Sequence, residues 1–238
     1  MKAAVYCGTR NIYGDMVTAA KSLIANSDVE KIFFVIEDDV FPEPLPARVE
    51  TINVRGQTIF PPGGPNYSQR WTYMVLMRAA MTKILPAELD TVLSLDTDTI
   101  VDKDISELWD LDLGEHYFAA AREPRKSAGG DWYVRPIYVN VGVALFNLRQ
   151  LRQDGMDGRI IRALNTKSYD FNEQDCLNEL CEGRILTISS DYNANDYTEP
   201  ARETKIIHYA ARGDWRNEEI VQKYRAMTWE EAEQCRST

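Results

Sequence analysis

Two aspartates, Asp96 and Asp98, stand two positions apart at the end of the apolar run Val92-Leu93-Ser94-Leu95. In extended chain, residues two apart project to the same side, so both carboxylates can face one cation. A hard divalent ion held by few carboxylates takes its remaining ligands from substrate phosphates. Such an ion would neutralise the charge that builds on a departing diphosphate. Leu95-Asp96-Thr97-Asp98 is therefore a candidate diphosphate site. Two solvated turn aspartates are the alternative reading, and the strand in front of the pair is what weighs against it. His208 follows Lys205-Ile206-Ile207 and also falls at a strand end. Imidazole beside two carboxylates suits manganese better than magnesium or calcium. Taken alone, His208 reads as a core or surface histidine. His116 has no comparable setting and receives no role.

Two further segments carry polar groups of the right kind. In Asn172-Glu173-Gln174-Asp175-Cys176-Leu177-Asn178, Glu173 or Asp175 could act as a carboxylate nucleophile or stabilise positive charge on a sugar. Gln174 could bind sugar hydroxyls or the reacting face. The segment reads equally well as a polar helix start, with Asn172 as cap and the acids favouring the helix dipole. Near the beginning of the chain, Thr9, Asn11 and Tyr13 offer a hydroxyl, an amide and an aromatic ring to a nucleotide base and ribose. There is no GxGxxG and no Walker lysine motif, which disfavours a Rossmann cofactor or a P-loop.

These residues need a scaffold that delivers them to one place. Residues 3–7, 31–36 and 49–54 read as strands, with a helix over 15–26 between the first two. This strand–helix–strand opening predicts a parallel sheet covered by helices. A helix is expected from about Ser68 to Leu85, stopped at Pro86, with Trp71, Met74, Val75, Arg78, Met81 and Leu85 as its apolar stripe. Arg78 lies in that stripe, where an unpaired charge is costly, so it requires an anionic partner from protein or ligand. Residues 92–95, 139–147, 185–188 and 205–208 read as further strands, and 173–181 as a helix. The chain of 238 residues suits one domain, taken as 1–238. Its formal charge of −10 argues against a general nucleic-acid binder. No apolar run approaches a membrane span and no signal-peptide core is evident. Cys7, Cys176, Cys181 and Cys235 lack zinc-site spacing and read as reduced thiols, which places the expected location in the cytoplasm.

Set in order, these segments resemble glycosyltransferase family 8, the retaining GT-A enzymes that include glycogenin and bacterial lipopolysaccharide glucosyl- and galactosyltransferases. The run from Asp90 to Val101 resembles the family's metal-binding strand, and Asp104-Ile105-Ser106-Glu107-Leu108-Trp109 continues it. Asn140-Val141-Gly142-Val143-Ala144-Leu145-Phe146-Asn147-Leu148 resembles its Asn-Ser/Ala-Gly strand. Glu173-Gln174-Asp175-Cys176-Leu177-Asn178 resembles its Asp-Gln-Asp-x-Leu-Asn helix, and Ile206-Ile207-His208-Tyr209 its metal-histidine strand. The resemblance implies an α/β, GT-A-like fold with a mostly parallel central sheet flanked by helices. It implies a retaining, divalent-metal-dependent transfer of a hexose, glucose or galactose, from a UDP-sugar. Asp96, Asp98 and His208 would hold Mn2+, with Mg2+ as the alternative ion. Arg78 would stand at the donor, Thr9 and Tyr13 in the base-binding loop, and Asn140 and Gly142 in the sugar pocket. Gln174 would lie near the anomeric carbon, with Glu173 and Asp175 beside it.

The departures from the family pattern are specific. The family closes its metal strand with His-x-x-Gly-x-x-Lys-Pro-Trp. Here the chain reads His208-Tyr209-Ala210-Ala211-Arg212-Gly213-Asp214-Trp215, without the lysine that would hold the diphosphate. Arg212 is the candidate substitute, although guanidinium and ammonium are not equivalent. Glu173 replaces the first acid of Asp-Gln-Asp, and Val141 precedes Gly142. The rival readings are a catalytically silent nucleotide-sugar-binding relative and a nucleotidyltransferase. The acceptor is a saccharide, a protein or a small molecule. Residues 124–136 and 192–204 could shape its site or be ordinary surface loops.

Overall fold

The computed structural model describes residues 1–68, 71–124 and 137–235. Among these residues nine strands form: β1 (Ala3–Cys7), β2 (Lys31–Ile36), β3 (Val49–Asn53), β4 (Thr91–Leu95), β5 (Thr99–Val101), β6 (Phe118–Arg122), β7 (Val139–Asn147), β8 (Ile185–Ile188) and β9 (Ile206–His208). Seven of them make one sheet in the order β3-β2-β1-β4-β7-β6-β8, while β5 and β9 pair separately. The first four strands of that order run parallel. β7 then enters antiparallel to β4 and to β6, and β8 closes parallel to β6. The sheet is mixed but mostly parallel, as the sequence implies.

Burial on both faces explains why the central strands read as unbroken apolar runs. Ala3 and Val5 of β1 face one layer, with Met77, Met81, Ile160 and Leu177. Ala4 and Tyr6 face the other, with Met16, Ala20 and Leu23. The latter belong to helix α1 (Tyr13–Ala25). The first layer is built from a 3-10 helix (Tyr73–Ala80), the short α2 (Met81–Ile84), α3 (Leu148–Gln153), α4 (Met156–Thr166) and α5 (Asn172–Leu180). The C-terminal α6 (Glu219–Ala226) and α7 (Trp229–Gln234) pack on α1. No helix among the described residues is long and apolar enough to cross a membrane. Cys7, Cys176, Cys181 and Cys235 are unbridged thiols.

Three local expectations are corrected. The long α-helix from Ser68 to Leu85 is instead 3-10 over Tyr73–Ala80 and α-helical only over Met81–Ile84. At three residues per turn the side chains align at i and i+3. The buried rows therefore become Met74, Met77, Ala80 and Arg78, Met81, while Trp71 of the expected stripe is exposed. β6 was not expected, because its sequence Phe-Ala-Ala-Ala-Arg carries helix-forming alanines. Its place between β7 and β8 decides the matter. Finally, Asn172 does not cap α5. It is the first helical residue, at φ +43°, and both polar atoms of its buried side chain lack a hydrogen-bond partner. The side chain of Asp175 accepts the Phe171 N–H at 2.9 Å instead.

The stretch 124–136 lies outside the described residues except for Glu123's neighbour Pro124. The stretch 192–204 is described, and it is tied to β9. The Ala194 N–H donates to the Ile206 carbonyl at 2.9 Å, and the His208 N–H donates to the Ala194 carbonyl at 2.9 Å.

Candidate active site

Strand β4 lies between β1 and β7, so its exit is fixed from both sides. The ladder to β7 extends one bond further, from the Asp96 N–H to the Gly142 carbonyl at 2.7 Å. Asp96-Thr97-Asp98 then turns into β5, whose pairing sets Thr99 opposite His208 of β9. The Tyr209 N–H closes the turn by donating to the Asp98 carbonyl at 2.9 Å. In this way two segments more than 100 residues apart in sequence are locked together by backbone bonds alone.

The side chains converge accordingly. One ligand atom each from Asp96, Asp98 and His208 lie within 4.8 Å of one another. His208 Nε2 is 3.4 Å from Asp98 Oδ1 and 3.5 Å from Asp96 Oδ2. The other ring nitrogen, Nδ1, lies 2.8 Å from Asn193 Oδ1. An amide oxygen only accepts, so Nδ1 carries the hydrogen and Nε2 points at the carboxylates. A hydrogen bond from the far ring nitrogen of this kind fixes the ring plane and tautomer of a histidine that is to bind a metal. Gly142 makes the approach possible: a Cβ there would come within 2.8 Å of Asp96 Oδ2 and of His208 Nδ1. Two carboxylates and one imidazole nitrogen around a common point fit a divalent metal ion.

The charges are interdependent. Burial lowers the affinity of His208 for its proton, but Asp98 and then Asp96 outweigh that effect and its pKa is raised. Burial alone would raise Asp98, yet His208 opposes it and the net direction is down. A divalent ion bound here would compete with the His208 proton for this pair of carboxylates. On the far side of Asp96, Oδ1 pairs with Arg78 Nη2. Arg78 Nη1 donates to Glu173 Oε1 at 2.8 Å, and Nε to Ser94 Oγ at 3.1 Å. The buried arginine of the 3-10 helix thus has its anionic partners within the protein. Burial pushes Glu173 up to about 7, against the pull of Arg78.

A second buried network adjoins the first. Gln174 Oε1 accepts the Val141 N–H at 3.1 Å, while its Nε2 donates to Tyr138 Oη at 3.1 Å and Glu123 Oε2 at 3.3 Å. Asn140 Nδ2 donates to Glu123 Oε2 at 2.7 Å, and its Oδ1 accepts from the Gly142 N–H at 2.9 Å and from Asn193 Nδ2 at 2.9 Å. Asp175 Oδ1 accepts from Tyr138 Oη at 2.5 Å. Asn193 joins this network directly to His208.

The structure therefore gathers Arg78, Asp96, Asp98, Asn140, Gly142, Glu173, Gln174 and His208, with Asp175 held through Tyr138. Thr97 lies in the turn between the two acids. Thr9 and Asn11 follow β1 on the same sheet edge, hydrogen-bonded to each other at 2.5 Å. Tyr13 is buried, with its hydroxyl donating to Asp38 Oδ2 at 3.1 Å and its ring stacked on Phe41. Arg212 stands apart on the surface, paired with Glu218. Four participants escaped the sequence reading: Ser94, Glu123, Tyr138 and Asn193. Glu123 left a faint signal, a carboxylate that follows Phe118-Ala119-Ala120-Ala121-Arg122, at a strand end like Asp96. Asn193 left none, because its partner His208 becomes its neighbour only through folding.

Two acids at the end of β4 in the mixed sheet, met by a histidine from the separate β5–β9 pair, sit on a scaffold that matches glycosyltransferases of the GT-A fold. The family model described as glycosyl transferase family 8 matches residues 4–219, and the chain belongs to that family. Among solved structures, the chain is similar to the glycosyltransferase GlyE of Streptococcus pneumoniae, with 22% identity and a TM-score of 0.72. That match covers 98% of this chain and 62% of GlyE. It is also similar to the galactosyltransferase LgtC, with 20% identity and a TM-score of 0.73, over 94% of this chain and 95% of LgtC. Mouse xyloside xylosyltransferase 1 gives 16% identity and a TM-score of 0.61, over 88% and 97% of the respective chains. The comparison with curated proteins gave no match.

Proposed function

We propose that this enzyme transfers a hexose, glucose or galactose, from a UDP-sugar to an acceptor with retention at the anomeric carbon, as one GT-A-like domain over residues 1–238. The convergence of Asp96, Asp98 and His208 carries the reading, because three donors of this kind meet at the strand end where nucleotides bind in open α/β sheets. Mn2+ is the proposed ion, with Mg2+ as the alternative. When bound, it would supply charge for the departing diphosphate. Asp96, Asp98 and His208 would hold it; Arg78 pairs with Asp96, and the Asn193 amide oxygen accepts from His208 Nδ1, which would leave Nε2 for the ion.

The sugar is assigned to the neighbouring network. Asn140, Gly142, Glu173 and Arg78 would surround it, with Gln174 and Asp175 nearest the anomeric carbon. Thr9, Asn11 and Tyr13 would meet the base and ribose, and Thr97 the phosphates. LgtC is named for galactose and the mouse enzyme for xylose. The hexose assignment therefore rests on the family pattern. A catalytically silent nucleotide-sugar binder is the second reading, favoured by one observation: counted from His208, Asp214 stands where the family pattern has its lysine. A nucleotidyltransferase would need a basic loop after β1, and that loop carries only Arg10, turned to Asp38.

UDP release from UDP-glucose and UDP-galactose tests the reading. We expect turnover with Mn2+ and its loss in the double variant Asp96→Ala, Asp98→Ala. Metal-dependent UDP binding without any turnover selects the silent relative. An absence of both contradicts the donor assignment.

A further inference from the structure

We infer that Asn193 is a positioning residue that couples the metal site to the sugar pocket, one end of its amide serving each; the sugar half rests on the UDP-sugar reading above. Its side chain is fully buried. The oxygen, Oδ1, lies 2.8 Å from His208 Nδ1. The nitrogen, Nδ2, donates to Asn140 Oδ1 at 2.9 Å and to the Asn140 carbonyl at 3.3 Å. His208 belongs to β9 and Asn140 to β7, strands of different sheets, and this one amide bridges them.

Backbone groups set the direction of the amide. The Gly142 N–H donates to Asn140 Oδ1 at 2.9 Å, so that oxygen is an acceptor and needs a donor facing it. The Tyr197 and Thr198 N–H groups donate to Asn195 Oδ1 at 2.8 and 3.1 Å. This turns Asn195 Nδ2 inward, to 3.0 Å from Asn193 Oδ1. A backbone N–H only donates, and an amide oxygen only accepts. Asn193 therefore has one satisfied orientation, with Nδ2 toward Asn140 and Oδ1 toward Asn195 and His208. A flip would set nitrogen against nitrogen at Asn195 and oxygen against two oxygens at Asn140, and such buried mismatches are costly. The main chain is held as well: the Asn193 carbonyl accepts from Thr198 Oγ1 at 2.9 Å, and its N–H donates to the Ser190 carbonyl at 3.0 Å.

On the metal side, this orientation keeps the ring hydrogen of His208 on Nδ1. A competing donor is already in place, because Asn195 Nδ2 stands 3.4 Å from the same nitrogen. Without Asn193 Oδ1, that amide would donate to Nδ1. The hydrogen of the neutral ring would then move to Nε2, the atom facing Asp96 and Asp98. On the sugar side, Asn140 is gripped at both its oxygens. Its Nδ2 donates to Glu123 Oε2 at 2.7 Å, and the same oxygen accepts from Gln174 Nε2 at 3.3 Å. Rotation of Asn140 thus disturbs Gln174. Whichever ligand arrives first orders Asn193 for the other, and the coupling is reciprocal.

Asn193→Ala and Asn193→Asp separate the two ends, because aspartate keeps an acceptor for Nδ1 and lacks the donor for Asn140. The chain has two histidines, so 15N spectra of the metal-free, full-length protein at alkaline pH, where the rings are neutral, read the tautomer of His208. His208→Ala assigns its signals. The wild type and Asn193→Asp are expected to carry the hydrogen on Nδ1, and Asn193→Ala on Nε2. Mn2+ binding by calorimetry is expected to weaken by about tenfold or more in Asn193→Ala and to stay within about threefold in Asn193→Asp. The third quantity is the ratio of UDP-hexose to UDP affinity with Mn2+, for whichever of UDP-glucose and UDP-galactose the wild type binds more tightly. It is expected to fall by about fivefold or more in both variants. A wild-type ring with its hydrogen on Nε2, or an Asn193→Ala ring that keeps it on Nδ1, overturns the proposal while the donor reading stands. An unchanged ratio in Asn193→Asp overturns it too. The wild-type spectrum needs no variant, so it decides even where a substitution prevents folding. A wild type that binds neither UDP nor a UDP-hexose with Mn2+ overturns the donor reading and the sugar half with it, and the spectra still decide the metal half.

Discussion

Two stretches of the same sheet edge are built on opposite principles. Around Glu173 and Gln174, polar groups are buried and tied to one another through Arg78, Asn140, Glu123 and Tyr138. Around Thr9 and Asn11 the loop is open to solvent, and the neighbouring Glu37-Asp38-Asp39 is held by Arg55 at the surface. A buried polar network is stabilising only when complete, because each orphaned member costs its desolvation. The first region is therefore shaped before any ligand arrives. The second leaves polar groups available to be paired by one. Under the proposed donor reading, this contrast would put sugar geometry in the protein interior and nucleotide affinity at the rim.

The contrast is open to attack at several points. Arg78→Met leaves Asp96 and Glu173 without their shared cation. It should lower unfolding free energy at pH 8 by about 3–5 kcal/mol, read from urea denaturation, as for other broken buried pairs. A loss below about 1 kcal/mol would show the network to be loose.

Glu173 offers the next largest effect and a clear sign. Its folded pKa stands at about 7, above the ordinary value of 4.5. Between these values the folded state binds more protons than the unfolded chain, so this group's contribution is full below pH 4.5 and is lost as pH rises toward 7. At most about 3 kcal/mol is at stake. Glu173→Gln should flatten the decline in stability across that window relative to the wild type. Parallel pH profiles for the two proteins would remove Glu173 from the account.

Gly142→Ala should then cost about 1–3 kcal/mol, because the new methyl meets His208 and Asp96. It should also weaken Mn2+ binding measured by calorimetry. Gly158→Ala in α4 is the control, since a Cβ there meets nothing within 4 Å. It should leave stability equal or higher. Smallest of all, Asn11→Ala on the open loop should change stability by less than about 0.5 kcal/mol. Its effect should appear only in UDP affinity.

How much of this was legible beforehand depended on the distance over which each feature is encoded. Strands β1, β2 and β7 were read with their observed bounds, because burial on both faces writes itself as an apolar run. Asp96 and Asp98 were legible because their spacing and strand are local. Arg78 announced itself as a charge in an apolar stripe, although its helix winds as 3-10 and Trp71 left the stripe. The alanines of β6 misled, since their strand state comes from β7 and β8 on either side. Asn193 and Glu123 were silent or nearly so, because what they do is defined by partners far along the chain.

The central claim is that Asp96, Asp98 and His208 form one ion site that serves a nucleotide diphosphate. UDP binding to the wild type and to His208→Ala, titrated with Mn2+ from none to saturation, addresses it most directly. The account predicts that Mn2+ strengthens UDP binding to the wild type by at least about tenfold, a coupling of about 1.4 kcal/mol. It predicts that His208→Ala loses most of that coupling while remaining folded. UDP binding that is equally tight with and without the metal would contradict the claim, as would a His208→Ala variant that keeps the full effect of Mn2+.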